Sequence, residues 1–317
     1  MVNVIYDNQF MKLSIITINY NNIAGLQKTA ESVISQNSHE FEWIVIDGGS
    51  TDGSKELIEQ YQDHITYWCS EPDNGIFNAM NKGTSFANAD YCLFLNSGDR
   101  LHSGNVVQEV VPFLHDYDYI CGDECVVDLQ YNQIRVRKNP EIFDKYHLLV
   151  GCLWHQSTFI RTSLLKERPY DETFKIVGDW ETSFYQLVLQ DGTYKHIPVL
   201  VSDFVIGGIS TDLQYAGVEC RQTINQCLSR REQDLIALAH FDRRKTDLDK
   251  RQMSETAYTA FANGYYSQNE YIDIFSPYRE ILVSYSSIHH RFFNFMCLSG
   301  YMKFARTIYR CMPKRAI

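Results

Sequence analysis

Proline and glycine are scarce, 7 and 17 among 317 residues, too few for a collagen-like or linker-like chain. Basic charge is also in deficit. Against 39 Asp and Glu there are 29 Lys and Arg, a net charge of −10, which excludes nucleic acid as a partner of the protein as a whole and leaves only a local basic patch possible. No stretch reaches the roughly 18 uninterrupted apolar residues of a membrane span. Met1–Phe10 holds neither Lys nor Arg, nor an apolar run of signal-peptide length, so a cytoplasmic protein is expected. The nine cysteines form no Cys-x-x-Cys pair; Cys121 and Cys125 come nearest, and all read as reduced, structural or incidental thiols. What remains is 44% apolar and 21% charged, enough to bury a core. Aromatics reach 14%, with 21 tyrosines, more than a core needs, so some are expected on a binding surface.

The chain shows no internal repeat and no low-complexity tract. Leu13–Ile18 is a short β-branched run that Asn19-Tyr20-Asn21-Asn22 breaks, and Leu26, Ala30, Val33 and Ile34 follow at helical spacing. Phe41–Ile46 is a second run, closed by Asp47–Gly53, after which Leu57, Ile58 and Tyr61 keep helix spacing. Ile65–Cys69 predicts a third strand, Ile76–Phe86 a helix and Tyr91–Leu95 a buried fourth strand. This alternation predicts an α/β fold with a mostly parallel sheet flanked by helices, whose ligands bind at the carboxyl ends of the strands. Later the pattern weakens: strands are expected in Tyr117–Val127 and Tyr194–Phe204, helices at Ser163–Glu167 and Trp180–Leu189, and mostly helix from Leu213. The expected division is a catalytic domain over 1–212 and a helical C-terminal region over 213–317.

Polar motifs fall at the expected strand ends, and each has two readings. Asp47–Ser54 sets Asp47 and Asp52 around glycines, Gly49 among them, which suits close approach of a ligand ring and ribose; an Asp-Gly turn capping the next helix would look the same. Glu71–Gly83 is a turn carrying Asp73 and Gly75 that opens a helix with Lys82 near its end; it is also an ordinary capped surface helix. Phe94–Asp99 delivers Asn96 and Asp99. Asp99 suits a hard divalent ion that neutralises a diphosphate, or a plain turn. Val177–Glu181 flanks Trp180 with Asp179 and Glu181: one carboxylate could deprotonate an acceptor hydroxyl with the indole against a sugar face, or both acids could cap a helix. Trp154, His155 and Gln156 cluster upstream as acceptor-side candidates. Asp203–Ser210 offers a glycine pair suited to a loop that closes over a ligand.

In this order the motifs Ser14–Asn22, Asp47–Ser54, Glu71–Gly83, Phe94–Asp99, His155–Ser157, Asp179–Glu181 and Phe204–Ser210 resemble the family 2 glycosyltransferases of GT-A fold. They are most similar to the bacterial surface-polysaccharide branch of the colanic-acid transferase type. The resemblance covers about residues 11–212. It implies inverting transfer of a sugar from a nucleotide-diphosphate sugar to a glycan or lipid-linked acceptor, with Mg²⁺ or Mn²⁺. By position it implies Thr17 and Asn19 beside the nucleotide, Asp47 on the base, Asp73 and Lys82 near the nucleotide-sugar, Asp99 on the metal and Asp179 as general base. One departure stands out: many relatives carry a second acid where this chain has Asn96-Ser97-Gly98-Asp99. An Asn carbonyl can ligate a hard cation, but the missing charge weakens the site. That departure is what favours a non-catalytic nucleotide-sugar-binding or scaffolding subunit as the alternative, and the retained Asp179 speaks against it. A nucleotidyltransferase is disfavoured because the first strand-end turn has no Lys/Arg-rich glycine loop.

After Glu280 there is no acid. Arg291, Lys303, Arg306, Arg310, Lys314 and Arg315 interleave with Phe292, Phe293, Phe295, Met296, Leu298, Met302, Phe304, Ile308 and Tyr309. This composition suits an interfacial helix on anionic lipid, hence a peripheral membrane contact, or a helix packed on the protein with a solvated basic face.

Overall fold

The structure, a computed structural model, describes residues 11–128, 133–205, 213–244, 246–284 and 288–311. They form two compact units divided at Thr223/Ile224.

In the first unit β1 (Leu13–Asn19), α1 (Ile23–Ile34), β2 (Phe41–Asp47), α2 (Ser54–Gln60), β3 (Tyr67–Ser70), α3 (Ile76–Phe86) and β4 (Tyr91–Phe94) alternate. Then come β5 (Arg100–Leu101), α4 (Val106–Val110), β6 (Tyr119–Asp128), β7 (Gln133–Arg137) and α5 (Tyr146–Val150). β8 (Thr158–Arg161), α6 (Thr162–Glu167), α7 (Gly178–Phe184) and β9 (Tyr194–Val205) complete the unit. The strands lie in the order β3-β2-β1-β4-β8-β6-β9-β5, with β7 on β6. The expected parallel sheet holds for β3 to β4 and for β6 with β9. β8, β7 and β5 run antiparallel to their partners, so the sheet is mixed. β7 follows β6 after four residues, too few for the crossover that a parallel neighbour requires.

All seven residues of β1 are buried, as expected of a central strand covered on both faces. On one face Leu26, Ala30 and Val33 of α1 and Val106, Val107 and Val110 of α4 pack with Leu13, Ile15, Trp43, Val45 and Leu93. On the other lies α3, brought close by Gly83: a Cβ there would stand 2.5 Å from Ile16 Cγ2. The layers thus fix the carboxyl ends of β1, β2 and β4 side by side.

The second unit is helical, as the sequence leads one to expect. It comprises the end of α8 (Leu213–Cys227), then α9 (Arg230–Arg244), α10 (Asp247–Ala262), α11 (Gln268–Phe275), α12 (Arg279–Ser284), α13 (Ile288–Leu298) and α14 (Met302–Cys311). Capping boxes of Thr246 with Asp249 and Ser267 with Glu270 start α10 and α11. Met253, Phe261, Tyr271, Phe275, Phe293, Cys297, Met302 and Ala305 are buried, and Phe261 stacks on Phe293 at 5.0 Å. Part of the basic aromatic tail is therefore core, because its apolar residues recur at helical spacing and meet α10 and α11. Phe295 and Tyr301 remain exposed. Among the described residues no helix is long and apolar enough to cross a membrane. The glycine pair expected as a closing loop, with residues 206–212, lies outside the described residues.

Candidate active site

The ends of β1 and β2 are tied by one buried carboxylate. Asp47 Oδ1 accepts from Asn19 Nδ2 at 2.7 Å and Ser50 Oγ at 2.6 Å, while Oδ2 accepts from the Ser50 amide at 2.9 Å and Ser70 Oγ at 2.7 Å. Burial alone would raise its pKa, but the Ser50, Ser70 and Asn19 hydrogen bonds outweigh burial and lower it. Asp52 is similarly occupied, accepting from Ser54 through Oδ1 and from the Ile23 amide through Oδ2 at 2.8 Å. These bonds make the turn that braces α1 and α2. Gly49 takes a φ of +79°, and a Cβ on it would meet the backbone nitrogen of Pro72 at 3.0 Å. Gly75, at φ +117°, opens α3. Lys82 is paired with Glu71 at 2.8 Å, which raises the Lys82 pKa.

After β4, the loop Asn96–Asp99 is anchored to α1: Thr29 Oγ1 donates to the Asp99 carbonyl at 2.6 Å, and Asn22 Nδ2 donates to the Ser97 carbonyl at 2.9 Å. His155, in a single 3-10 turn, joins this loop to α7. Its Nδ1 lies 3.2 Å from Asp179 Oδ2, and its Nε2 lies 3.4 Å from Asn96 Nδ2. Burial disfavours the imidazolium, yet the hydrogen bond and charge of Asp179, with the charges of Asp99 and Glu124, raise the His155 pKa. Asp179 also accepts from the Trp180 amide at 2.8 Å; its side chain is 25% exposed, so one edge of the carboxylate is held while the group still meets solvent.

The same cluster bears on metal binding. Asp99 is 8% exposed, and burial, opposed by His155, reinforced by Glu124 and opposed by Arg137, pushes its pKa to about 7. Two buried acceptors, Asn96 Oδ1 and Glu124 Oε2, have no hydrogen-bond partner, although Glu124 pairs with Arg137 through its other oxygen. Oxygen acceptors left unsatisfied near an under-compensated carboxylate are the donor type a hard divalent cation takes. A second group, His102, Cys125 and Asp203, also has the arrangement to hold a metal ion. There Arg100 already occupies one Asp203 oxygen at 2.8 Å and His102 the other at 2.6 Å, and a thiol suits softer metals than Mg²⁺.

Several expected site residues have side chains that are buried or held within the protein. Thr17 is in the core, two residues before the end of β1, where its hydroxyl accepts from Trp43 Nε1 at 3.0 Å, so it does not lie beside a nucleotide. Trp180 is 5% exposed, stacks on Phe184, and donates its indole N–H to the Leu148 and Gly151 carbonyls; it offers no face to a sugar. Glu181 is clamped by both terminal nitrogens of Arg168, at 3.0 and 2.6 Å, which removes it as a base. Gln156 is buried. Trp154 is half-buried, with the Arg137 guanidinium 3.7 Å from its ring centre. Two residues escaped sequence reasoning. Glu124 sits inside a run read simply as strand, and its register opposite Arg137 was the missing signal. Tyr20, 68% exposed, lies in the Ser14–Asn22 motif, but the sequence gives it no role of its own.

The family model of glycosyl transferase family 2 matches residues 14–177, more than half of the chain. The chain belongs to glycosyl transferase family 2. An uncharacterized glycosyltransferase of Mycobacterium tuberculosis is 36% identical over 178 residues, 53% of this chain and 66% of that protein, so the match spans just under two thirds of the relative. The Campylobacter jejuni GalNAc(5)-diNAcBac-PP-undecaprenol beta-1,3-glucosyltransferase is 25% identical over 195 residues, 58% of this chain and 62% of that protein. In fold, the Staphylococcus aureus TarS 1–349 structure in complex with UDP-GlcNAc aligns with a TM-score of 0.56 at 15% identity, covering 95% of this chain and 92% of that one. The family match runs from β1 through α6 and includes the strand ends that carry Asp47 and Asp99, while Asp179 lies two residues beyond it.

Proposed function

We propose that this family 2 protein is an inverting glycosyltransferase of the surface-polysaccharide, colanic-acid-transferase-like branch. It moves a sugar from a nucleotide-diphosphate sugar to a hydroxyl of a glycan or lipid-linked oligosaccharide. The observation that carries the reading is the partly exposed Asp179 carboxylate, oriented by His155 and the Trp180 amide, linked through His155 to the Asn96–Asp99 loop. A base poised beside a cation-ready oxygen cluster is what a single in-line displacement needs: proton removal from the nucleophile at one end and charge neutralisation at the leaving group at the other. Asp179 Oδ2 takes the acceptor hydroxyl proton as that oxygen attacks the anomeric carbon, and the nucleoside diphosphate departs from the opposite face. Asp99, with Asn96 Oδ1 and Glu124 Oε2, would hold Mg²⁺ or Mn²⁺, which supplies charge neutralisation at the diphosphate when bound. Asp47 and Asn19 keep the β1 and β2 ends in register for the nucleoside, and Trp154 borders the acceptor side. The reading extends to a cytoplasmic enzyme that meets its acceptor at the membrane, supported by exposed Phe295 and Tyr301 in a segment without acids.

The test is a panel of nucleotide-sugars offered with lipid-linked and free glycans, with mass detection of nucleoside diphosphate. Release from one nucleotide class, lost in EDTA and restored by Mn²⁺, is the expected result. Donor binding without release from any member would favour the non-catalytic subunit instead.

A further inference from the structure

We propose that the carboxylate that reads the nucleobase is Asp73, delivered from the β3–α3 loop into space left by Gly48, and that Asp47 serves only as the scaffold beneath it. The inference rests on the nucleotide-sugar reading above and narrows it to one class of base.

Asp47 is saturated. A carboxylate has about four lone-pair sites, and Asn19, Ser50 (twice) and Ser70 fill them on a side chain with no exposed surface. A base edge could bind it only by displacing an internal donor. Asp73 is different. Its Oδ1 accepts from the Gly75 amide at 2.9 Å, which fixes the rotamer, while among the described residues Oδ2 has neither a hydrogen bond nor an ion pair. That oxygen lies 2.6 Å from where a Cβ on Gly48 would stand, so a side chain at position 48 would push the Asp73 carboxylate aside. Gly48 has no left-handed φ, so its backbone conformation does not itself call for glycine. The ring of Tyr20 closes the group, with Cδ2 3.2 Å from the same point and most of the side chain in solvent.

An acceptor-only group next to an exposed aromatic ring is the pairing that stacks a base and reads its edge. The carboxylate selects ring N–H donors: N3–H of uracil, or N1–H with the exocyclic amino group of guanine. Cytosine and adenine present an unprotonated ring nitrogen beside their amino group and would set lone pair against lone pair. The donor class is therefore a nucleoside diphosphate sugar whose base carries a ring N–H: uridine, thymidine or guanosine.

Calorimetry on the full chain with Mn²⁺ and UDP, GDP, CDP and ADP tests this. The expected result is that UDP or GDP binds roughly tenfold or more tightly than CDP and ADP, and that Asp73→Ala removes this preference by a similar factor. Gly48→Ala should do the same without touching the carboxylate chemistry, because it displaces Asp73. Inorganic pyrophosphate should bind wild type and both variants alike, and 3-methyluridine diphosphate should bind wild type as weakly as UDP binds Asp73→Ala. The proposal is overturned if Asp73→Ala keeps the preference, or if UDP and its 3-methyl analogue bind wild type equally while UDP is the preferred nucleotide. If wild type binds none of the four nucleotides, the donor-site reading itself falls.

Discussion

Asp47, Asp179 and Glu181 are three acids at element ends whose surroundings give them three different tasks. Glu181 neutralises Arg168 through two bonds, so Glu181→Gln should cost stability, about 1–3 kcal/mol, with turnover per folded molecule within a few-fold of wild type. Urea unfolding beside an initial-rate assay separates the two, and loss of turnover at unchanged stability would return Glu181 to the chemistry. Asp47 has a folded pKa below its ordinary 3.8. Its contribution is therefore fully present above that value and lost as pH falls through the lowered one. Asp47→Asn should destabilise near neutrality, and the gap to wild type should close in acid below about pH 3.8; a gap independent of pH would mean that the carboxylate charge is not what the four donors hold. At this scale the sequence shows which acids stand at element ends but not who their partners are. Arg168 is thirteen residues from Glu181, and Asp73 meets Gly48 across a strand connection. Pairings at such separations follow from the sheet register, which local pattern does not contain.

The helix α3 reaches β1 and β2 only because position 83 has no side chain. Gly83→Ala puts a methyl 2.5 Å from Ile16 Cγ2, and the expected loss is about 1–3 kcal/mol from overpacking, offset in part by the better helix propensity of alanine. Thermal unfolding measures it, and a variant as stable as wild type would show that α3 can shift outward freely. The elements that period alone reveals are the long amphipathic helices and the uninterrupted apolar strands: α1, α3, β1, β2 and β4 all fall where spacing puts them. Those it hides are short or doubly covered. β5 has two residues, β8 has four, and β7 alternates weakly because nearly all of it is exposed. β8 is also why the sheet is mixed: it enters between β4 and β6 antiparallel to both, a long-range choice without a local signature.

In the whole molecule the C-terminal helices separate two expectations. Phe293, Leu298, Met302 and Ala305 are buried in the helical unit, and burying each large side chain stabilises by about 1.5–3 kcal/mol. Deleting residues 288–317 should therefore abolish protection from hydrogen exchange in α10 and α11 and not merely weaken liposome binding. Retained protection with lost sedimentation on anionic vesicles would instead make the tail an interfacial element. The basic and aromatic composition was legible in the sequence; that Phe293, Leu298 and Met302 are buried in the helical unit was not, because the partner helices α10 and α11 lie some thirty residues earlier. The central claim, that the strand-end cluster holds a nucleotide-sugar and Asp179 deprotonates the acceptor, meets its most direct test in Asp179→Asn, assayed for nucleoside diphosphate release at saturating donor and acceptor alongside calorimetry of donor binding. The account predicts turnover lowered by roughly 10²–10⁴-fold with donor affinity unchanged. Near-normal turnover in Asp179→Asn, with the donor still bound, would contradict it.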